Sequence, residues 1–338
     1  MSATTTPPID VQGIINHRAL SRVQLLLLAL CFFVVAVDGF DTAAIGFIAP
    51  AIRAEWGSTP AQLAPLFGAG LFGLMLGAFT IGPLADRLGR KTILVGAVTF
   101  FGAASLLSAW SGSIGMLTVM RFVTGLGLGG AMPNAVTLTS EYCPERRRSF
   151  LVTVMFCGFT LGSALGGFAA AHLIASHGWR SVLVLGGALP LALAPVLWIA
   201  LPESLRFLVM RGDRAPSVQA TLRQIVPNIV IPAGARFVGA HKPEGLPVQQ
   251  LFRRDLVIGT LLLWLTFFMS LLVVYLLSSW LPTLIRSTAA SLATAALVTA
   301  MFQVGGTVGA IALGRLICST RTAYWARPTL WRDCSSRW

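Results

Sequence analysis

The chain has 338 residues, 55% of them hydrophobic and 11% charged, and its mean hydropathy is +0.78. A soluble domain carries about 25% charged residues, so these charges are too few to cover a water-facing surface, and lipid must be the solvent for much of the chain. The net charge of +13 does not mark a nucleic-acid binder, because long apolar runs divide the basic residues instead of leaving them on one face.

With about 20 residues per membrane helix as the yardstick, nearly charge-free runs fall near 23–50, 63–85, 92–111, 115–138, 150–173, 180–201, 256–282 and 292–313. They predict an all-α membrane protein with eight spans. Sixteen of the 25 Lys and Arg residues lie in 1–22, 86–91, 140–149 and 202–255, whereas the other set of loops holds only Arg53, Arg180 and Arg286. That asymmetry places the N-terminus in the cytoplasm of a bacterial-type inner membrane. No cleavable signal is expected, since about twenty polar residues precede a first apolar run too long for one.

The expected organisation is a cytoplasmic segment at 1–22, a six-helix half at 23–201, a cytoplasmic loop at 202–255, and two helices of a second half at 256–313. A short repeat supports the division: Gly73, Gly77, Gly82 and Leu84 recur as Gly305, Gly309, Gly314 and Leu316, at a constant offset of 232. The stretch 314–338 carries five Arg, three Trp and no further span. It is expected to be an aberrant, out-of-frame tail.

Asp38 and Asp41 stand in the first span at a spacing that puts both on one helical face. An acid at the centre of a membrane helix costs roughly 2.5–3.5 kcal/mol, so two on one face must look into the bundle or a wet cavity. Intramembrane acids mark proton and ion pathways, and burial favours the neutral carboxyl that a proton carrier needs. The competing reading is a helix break at Gly39 whose freed backbone donors the carboxylates satisfy. Arg121 is the one cation inside a span, at a depth similar to that of Asp38. Its fork can clamp a carboxylate, either as a permanent ion pair with Asp38 or Asp41 or as the receiver of an anionic substrate.

Between the second and third spans runs GlyProLeuAlaAspArgLeuGlyArgLys, Gly82 to Lys91. Gly82 and Gly89 allow a tight turn near other helices, Asp86 can cap or pair, and Arg87, Arg90 and Lys91 hold the loop inside. A conformational latch is expected here. In the fourth span Gly125, Gly127 and Gly130 spell GxGxxG, but a dinucleotide site needs a preceding strand and a later acid, and Phe150 stands at that distance. These glycines, with Gly158, Gly162 and Gly166 in the fifth span, are expected to let helices pack closely. Glu141 sits at the inner interface, with structural and functional readings both open. Pro202 to Arg206 reads as a helix stop and anchor. The five Cys form no CxxC, the four His have no metal spacing, and no nucleophile–base pair or cofactor motif is present, so no enzyme is expected. The aromatics at 264–269 and 275–280 read mostly as lipid-facing, with a minority available to a cavity.

At Gly82–Lys91 and at Arg121–Pro133 the chain resembles the major facilitator superfamily. AspGlyPheAsp, followed by ThrAlaAlaIleGlyPheIleAlaPro, is similar to the aromatic acid:proton symporter family, and nearest to its 4-hydroxybenzoate/protocatechuate transporters. The likeness continues through SerGluTyrCysProGluArg and LeuLeuLeuTrpLeuThr to about Gly314. It implies the superfamily's twelve-helix fold, about eight of whose helices are present, and alternating-access import of a small aromatic acid anion with protons. It also implies functional charges at Asp38, Asp41, Asp86, Arg121 and Glu141. The family repeats the Gly-x-x-x-Asp loop after its eighth helix; here Cys318 stands at that Asp, and the residues beyond it depart from the pattern. The alternatives are an exporter of the same superfamily and a non-functional fragment.

Overall fold

The computed structural model describes residues 9–16, 20–210, 215–225, 237–238, 256–288 and 291–325. Eight of its helices are long and apolar enough to cross a membrane. Six come in succession: α2 (Arg22–Trp56), α3 (Pro60–Leu88), α4 (Arg90–Ser108), α5 (Ile114–Tyr142), α6 (Glu145–His177) and α7 (Arg180–Ala200). They follow α1 (Val11–Asn16). After α8 (Leu205–Met210) and α9 (Ala215–Ile225) come α10 (Val257–Ser287) and α11 (Leu292–Trp325). The only strand pairing among the described residues is parallel, between β1 (Ile9–Asp10) and β2 (Phe237–Val238). The end of the chain beyond Trp325 lies outside the described residues, as do His17, His241 and Cys334.

Each of the eight expected spans has its helix, and the differences are at the ends. The first expected span stops at Pro50, yet α2 continues to Trp56 with Pro50 inside it. Gly57 then ends it in the left-handed conformation, φ 61°, which only glycine adopts without strain. At its start Ser21 and Gln24 form a capping box: the Ser21 hydroxyl accepts from the Gln24 amide at 3.3 Å, and Gln24 Oε1 accepts from the Ser21 amide at 2.7 Å. That pairing satisfies two orphan donors of the first turn.

Close backbone approach organises the bundle. Gly73 and Gly77 of α3 lie against the backbone of Phe122 and Leu126, and Gly125 and Gly129 of α5 against Gly70 and Leu74. In α6, Gly158 and Gly162 lie against Phe32 and Ala36 of α2, while Gly39 of α2 lies against Phe159. Small residues allow such contact where no water drives the helices together. Gly39 therefore does not break α2; the helix runs through it as part of the α2–α6 seam. On α11 the repeat-related Gly305 and Gly309 have nothing within 4 Å of a would-be Cβ.

Two apolar clusters fill the interior. One gathers Leu30, Val34, Leu94, Leu138 and Met155, and extends to Ile15 of α1 and to Val218, Leu222 and Ile225 of α9. The other gathers Phe40, Ile48, Leu117 and Leu183. Along α2 the first cluster's buried residues end at Val35 and those of the second begin at Phe40. Asp38 falls in that interval and Asp41 just beyond it.

Candidate functional site

Asp41 and Arg121 form a buried, two-pronged ion pair. Arg121 Nη2 donates to Asp41 Oδ2 at 2.7 Å and Nη1 to Oδ1 at 3.1 Å, and Nη2 also donates to the Asp41 carbonyl at 3.2 Å. The side chains are 0% and 4% exposed respectively. This fork-to-carboxylate geometry is the strongest neutralising arrangement open to a buried acid. The antiparallel run of α2 and α5 brings the two to one depth, and the close glycine contacts of α2 with α6 and of α5 with α3 fix both helices. A third group completes the carboxylate: the Ser105 hydroxyl of α4 donates to Asp41 Oδ1 at 2.5 Å. Ser105 is not legible in the sequence, because one serine in an apolar run carries no pattern.

Asp38 is equally buried, at 1% exposure, but differently served. Its Oδ1 accepts from the Thr42 hydroxyl at 3.2 Å, while Oδ2 has no hydrogen-bond partner. The i, i+3 spacing thus places two acids side by side in unlike settings, one neutralised by a cation and one without. Arg121 and Thr42 line a narrow hollow whose walls include Phe67, Leu71, Leu128, Tyr275 and Ser279. A wider, more open apolar hollow shares Phe67, Leu71, Tyr275 and Ser279 with it and reaches Phe268 and Trp280. Trp264 and Phe267 are half or more exposed on the outer surface of α10, as expected for lipid-facing aromatics, whereas Phe268, Tyr275 and Trp280 line these hollows.

A second cluster of the expected site residues stands at the other end of α3. Gly89, at φ 101°, makes the turn between α3 and α4, and a Cβ there would reach the Glu203 carboxylate. Gly82 takes no part in that turn. It lies inside α3 with nothing within 4 Å of a would-be Cβ, so the expectation of a turn glycine is corrected at that position. Arg90 reaches back to Asp86 at 2.9 Å and across to Glu141 of α5 at 3.5 Å, an ion pair without hydrogen-bond geometry. Arg87 is exposed on the same turn. The Lys91 amide donates to Glu203 Oε1 at 3.0 Å, and its ammonium stands 5.7 Å over the Trp198 ring.

In the sequence Glu203 reads only as part of a helix stop. Its carbonyl accepts from the Tyr142 hydroxyl at 2.6 Å, and the neighbouring Ser204 hydroxyl donates to Glu141 at 2.6 Å. The turn after α3 is therefore fastened to the ends of α5 and α7 together. The segment before α2 joins in, since Asn16 Oδ1 accepts from the Glu145 amide at 2.9 Å. Such an arrangement of few, directional contacts at one end of a bundle can hold one conformation and release it. Among the described residues no group of His, Cys, Asp or Glu could hold a metal ion.

Comparison with known proteins gives the family and the fold. The model of the Major Facilitator Superfamily matches residues 31–330. The 4-hydroxybenzoate transporter PcaK of Pseudomonas putida is 52% identical over 308 residues, which cover 90% of this chain and 69% of that protein. A gallate transporter of Pseudomonas putida is 49% identical over 309 residues, 91% of this chain and 68% of its own length. In fold, the chain is similar to the xylose transporter XylE from E. coli in a partially occluded inward-open conformation, with TM-score 0.65 over 84% of this chain and 71% of that one, at 18% identity.

Proposed function

The chain belongs to the Major Facilitator Superfamily, among its aromatic-acid transporters, and from that premise we propose that it couples protons to the import of a small aromatic carboxylate such as 4-hydroxybenzoate or protocatechuate. The observation that carries this reading is the buried Asp41–Arg121 fork at the edge of a hollow, one helical turn from an acid with an unpartnered oxygen. A substrate carboxylate offers Arg121 the same two acceptors as Asp41. When it takes that place, the displaced Asp41 carboxyl must be neutralised, because an uncompensated buried charge is costly, and a proton does so. Asp38, with Oδ2 free of a donor, is the neighbouring group that can carry a second proton or relay the first.

The likeness to 4-hydroxybenzoate and gallate transporters supports an aromatic acid as the cargo. Basic residues on alternate loops support an inner-membrane protein with the N-terminus, the turn at Gly89 and Glu203 on the cytoplasmic side. In that frame α2–α7 form the first half and α10–α11 open the second. The contacts among Asp86, Arg90, Glu141, Lys91 and Glu203 then act as the latch on inward opening.

The test is uptake of labelled 4-hydroxybenzoate by membrane vesicles carrying the full chain under an imposed inward proton gradient. Accumulation that a protonophore abolishes is expected. Asp38→Asn is expected to lose accumulation while still exchanging labelled for unlabelled acid across the membrane. Gradient-independent uptake, or undiminished accumulation by Asp38→Asn, contradicts proton coupling at this pair of acids.

A further inference from the structure

Asp38 Oδ2 is a buried acceptor without a hydrogen-bond donor, in a residue whose other oxygen Thr42 serves. An acceptor left so costs free energy, and the surrounding elements offer few groups to relieve it. Asp41 on the same helix is itself an acid and is committed to Arg121 of α5 and Ser105 of α4. α6 meets this turn of α2 through Phe159 and Gly162, and α7 meets Phe40 through Gly186, none of them titratable or a side-chain donor. α10 brings Tyr275. Its hydroxyl hydrogen-bonds no other described residue, and the phenol lies near enough for the charge of Asp38 to act on it. The depth agrees. α2 and α10, the first and seventh of alternating spans, run in the same direction. A Cβ on Gly46 would stand 2.6 Å from the Ser278 carbonyl and 3.2 Å from the Ser279 Cα, which sets their register. Four residues back along each helix, Thr42 and Tyr275 line the same narrow hollow. Side chains lean toward the N-terminus of their helix, so the Tyr275 ring leans from the level of Thr42 toward that of Asp38, one turn of about 5.4 Å back.

Resting on the proton-coupling reading of Asp38, we infer that Tyr275 is the positioning residue for that acid: its hydroxyl, directly or through one water in the hollow, serves Asp38 Oδ2 across the seam between the two halves. A phenol both donates and accepts. It donates to the ionised carboxylate and accepts from the protonated carboxyl, so Asp38 keeps a partner in both states. The bond to the ionised form is the stronger, because it is charge-assisted. Since α2 belongs to the first half and α10 opens the second, the contact lasts only while the two helices stay close. Moving α10 away from α2 removes the donor and favours the neutral acid, which ties the proton affinity of Asp38 to the approach of the halves. Thr42 cannot act in this way, because it sits on the same helix as Asp38 and travels with it.

Infrared difference spectra of the purified full chain in lipid, recorded across a pH series, test the contact. The carboxylic C=O band that is absent from Asp38→Asn belongs to Asp38, and its titration midpoint is the readout. Tyr275→Phe keeps the ring and its packing and removes the hydroxyl. It is expected to raise the midpoint by about one pH unit, the order of one hydrogen bond to a charged group. Ser279→Ala removes a hydroxyl one turn along the same face, away from the level of Asp38, and is expected to leave the midpoint at the wild-type value. An unshifted midpoint in Tyr275→Phe, or an equal shift in Ser279→Ala, overturns the assignment, while the titration of Asp38 itself leaves proton coupling standing. A wild-type Asp38 band that does not titrate overturns the assignment as well, and protonophore-sensitive uptake by vesicles then decides separately whether the chain is proton-coupled at all.

Discussion

Arg121→Ala is expected to abolish uptake and to destabilise the protein by about 3–5 kcal/mol, the cost of leaving one member of a buried ion pair without its partner. Asp41 would keep only the Ser105 hydroxyl as a donor and would lose the three bonds that Arg121 provides to its carboxylate and carbonyl. A stabilising role and a transport role both require this residue, so the single variant does not separate them. The double variant Asp41→Asn/Arg121→Gln does. With both charges removed and a hydrogen-bonding pair of similar shape in place, most of the thermal stability is expected to return, whereas uptake of labelled 4-hydroxybenzoate is expected to stay at background. A double variant that regains both stability and uptake would show the ion pair to be structural only.

Gly162→Leu is expected to act at a distance on the same site. A Cβ at this position would stand 2.6 Å from the Ala36 carbonyl carbon and 2.8 Å from its Cα. These are backbone atoms, with no side-chain rotation to relieve the clash, so α2 must move away from α6. That helix carries Asp38 and Asp41, and a shift on the scale of one methyl group separates the Arg121 fork from its carboxylate. Overpacking of a tight core costs roughly 1–3 kcal/mol, and occasionally more. The expected result is a lower melting temperature in detergent and little monodisperse protein. Gly166→Ala provides the contrast, since a Cβ there meets the Phe40 ring at an ordinary 3.5 Å and should leave both properties near wild type. Equal melting temperatures for Gly162→Leu and wild type would contradict the close seam between α2 and α6.

The spans are legible because they are long runs without charge, a signal that survives local irregularity. Their ends are not, because they depend on conformation: α2 passes through Pro50 and stops only where Gly57 can take a positive φ. The glycine ridges are legible as small-residue spacing, though not which partner each faces. Of the site, the paired acids and the lone intramembrane arginine stand out through the energetic cost of placing them in lipid. Ser105, Thr42 and Tyr142 carry no such cost and matter only through what they touch. Glu203 is hidden for another reason. An acid beside a proline in a loop looks like a chain stop, and only the fold brings it to the amide of Lys91 and the hydroxyl of Tyr142. Gly82 misleads in the opposite sense, since its place in a recognisable ten-residue pattern suggests a turn that Gly89 alone makes.

The exchange of Asp41 for a substrate carboxylate on Arg121 requires that binding of the anion be accompanied by capture of a proton. Calorimetric titration of the purified full chain with 4-hydroxybenzoate, repeated in buffers of differing ionisation enthalpy, measures that proton directly. The expected result for wild type is net proton uptake on binding and an affinity that rises as pH falls; for Asp41→Asn it is retained binding without proton uptake. Binding by wild type with no net proton exchange across the series would contradict the account.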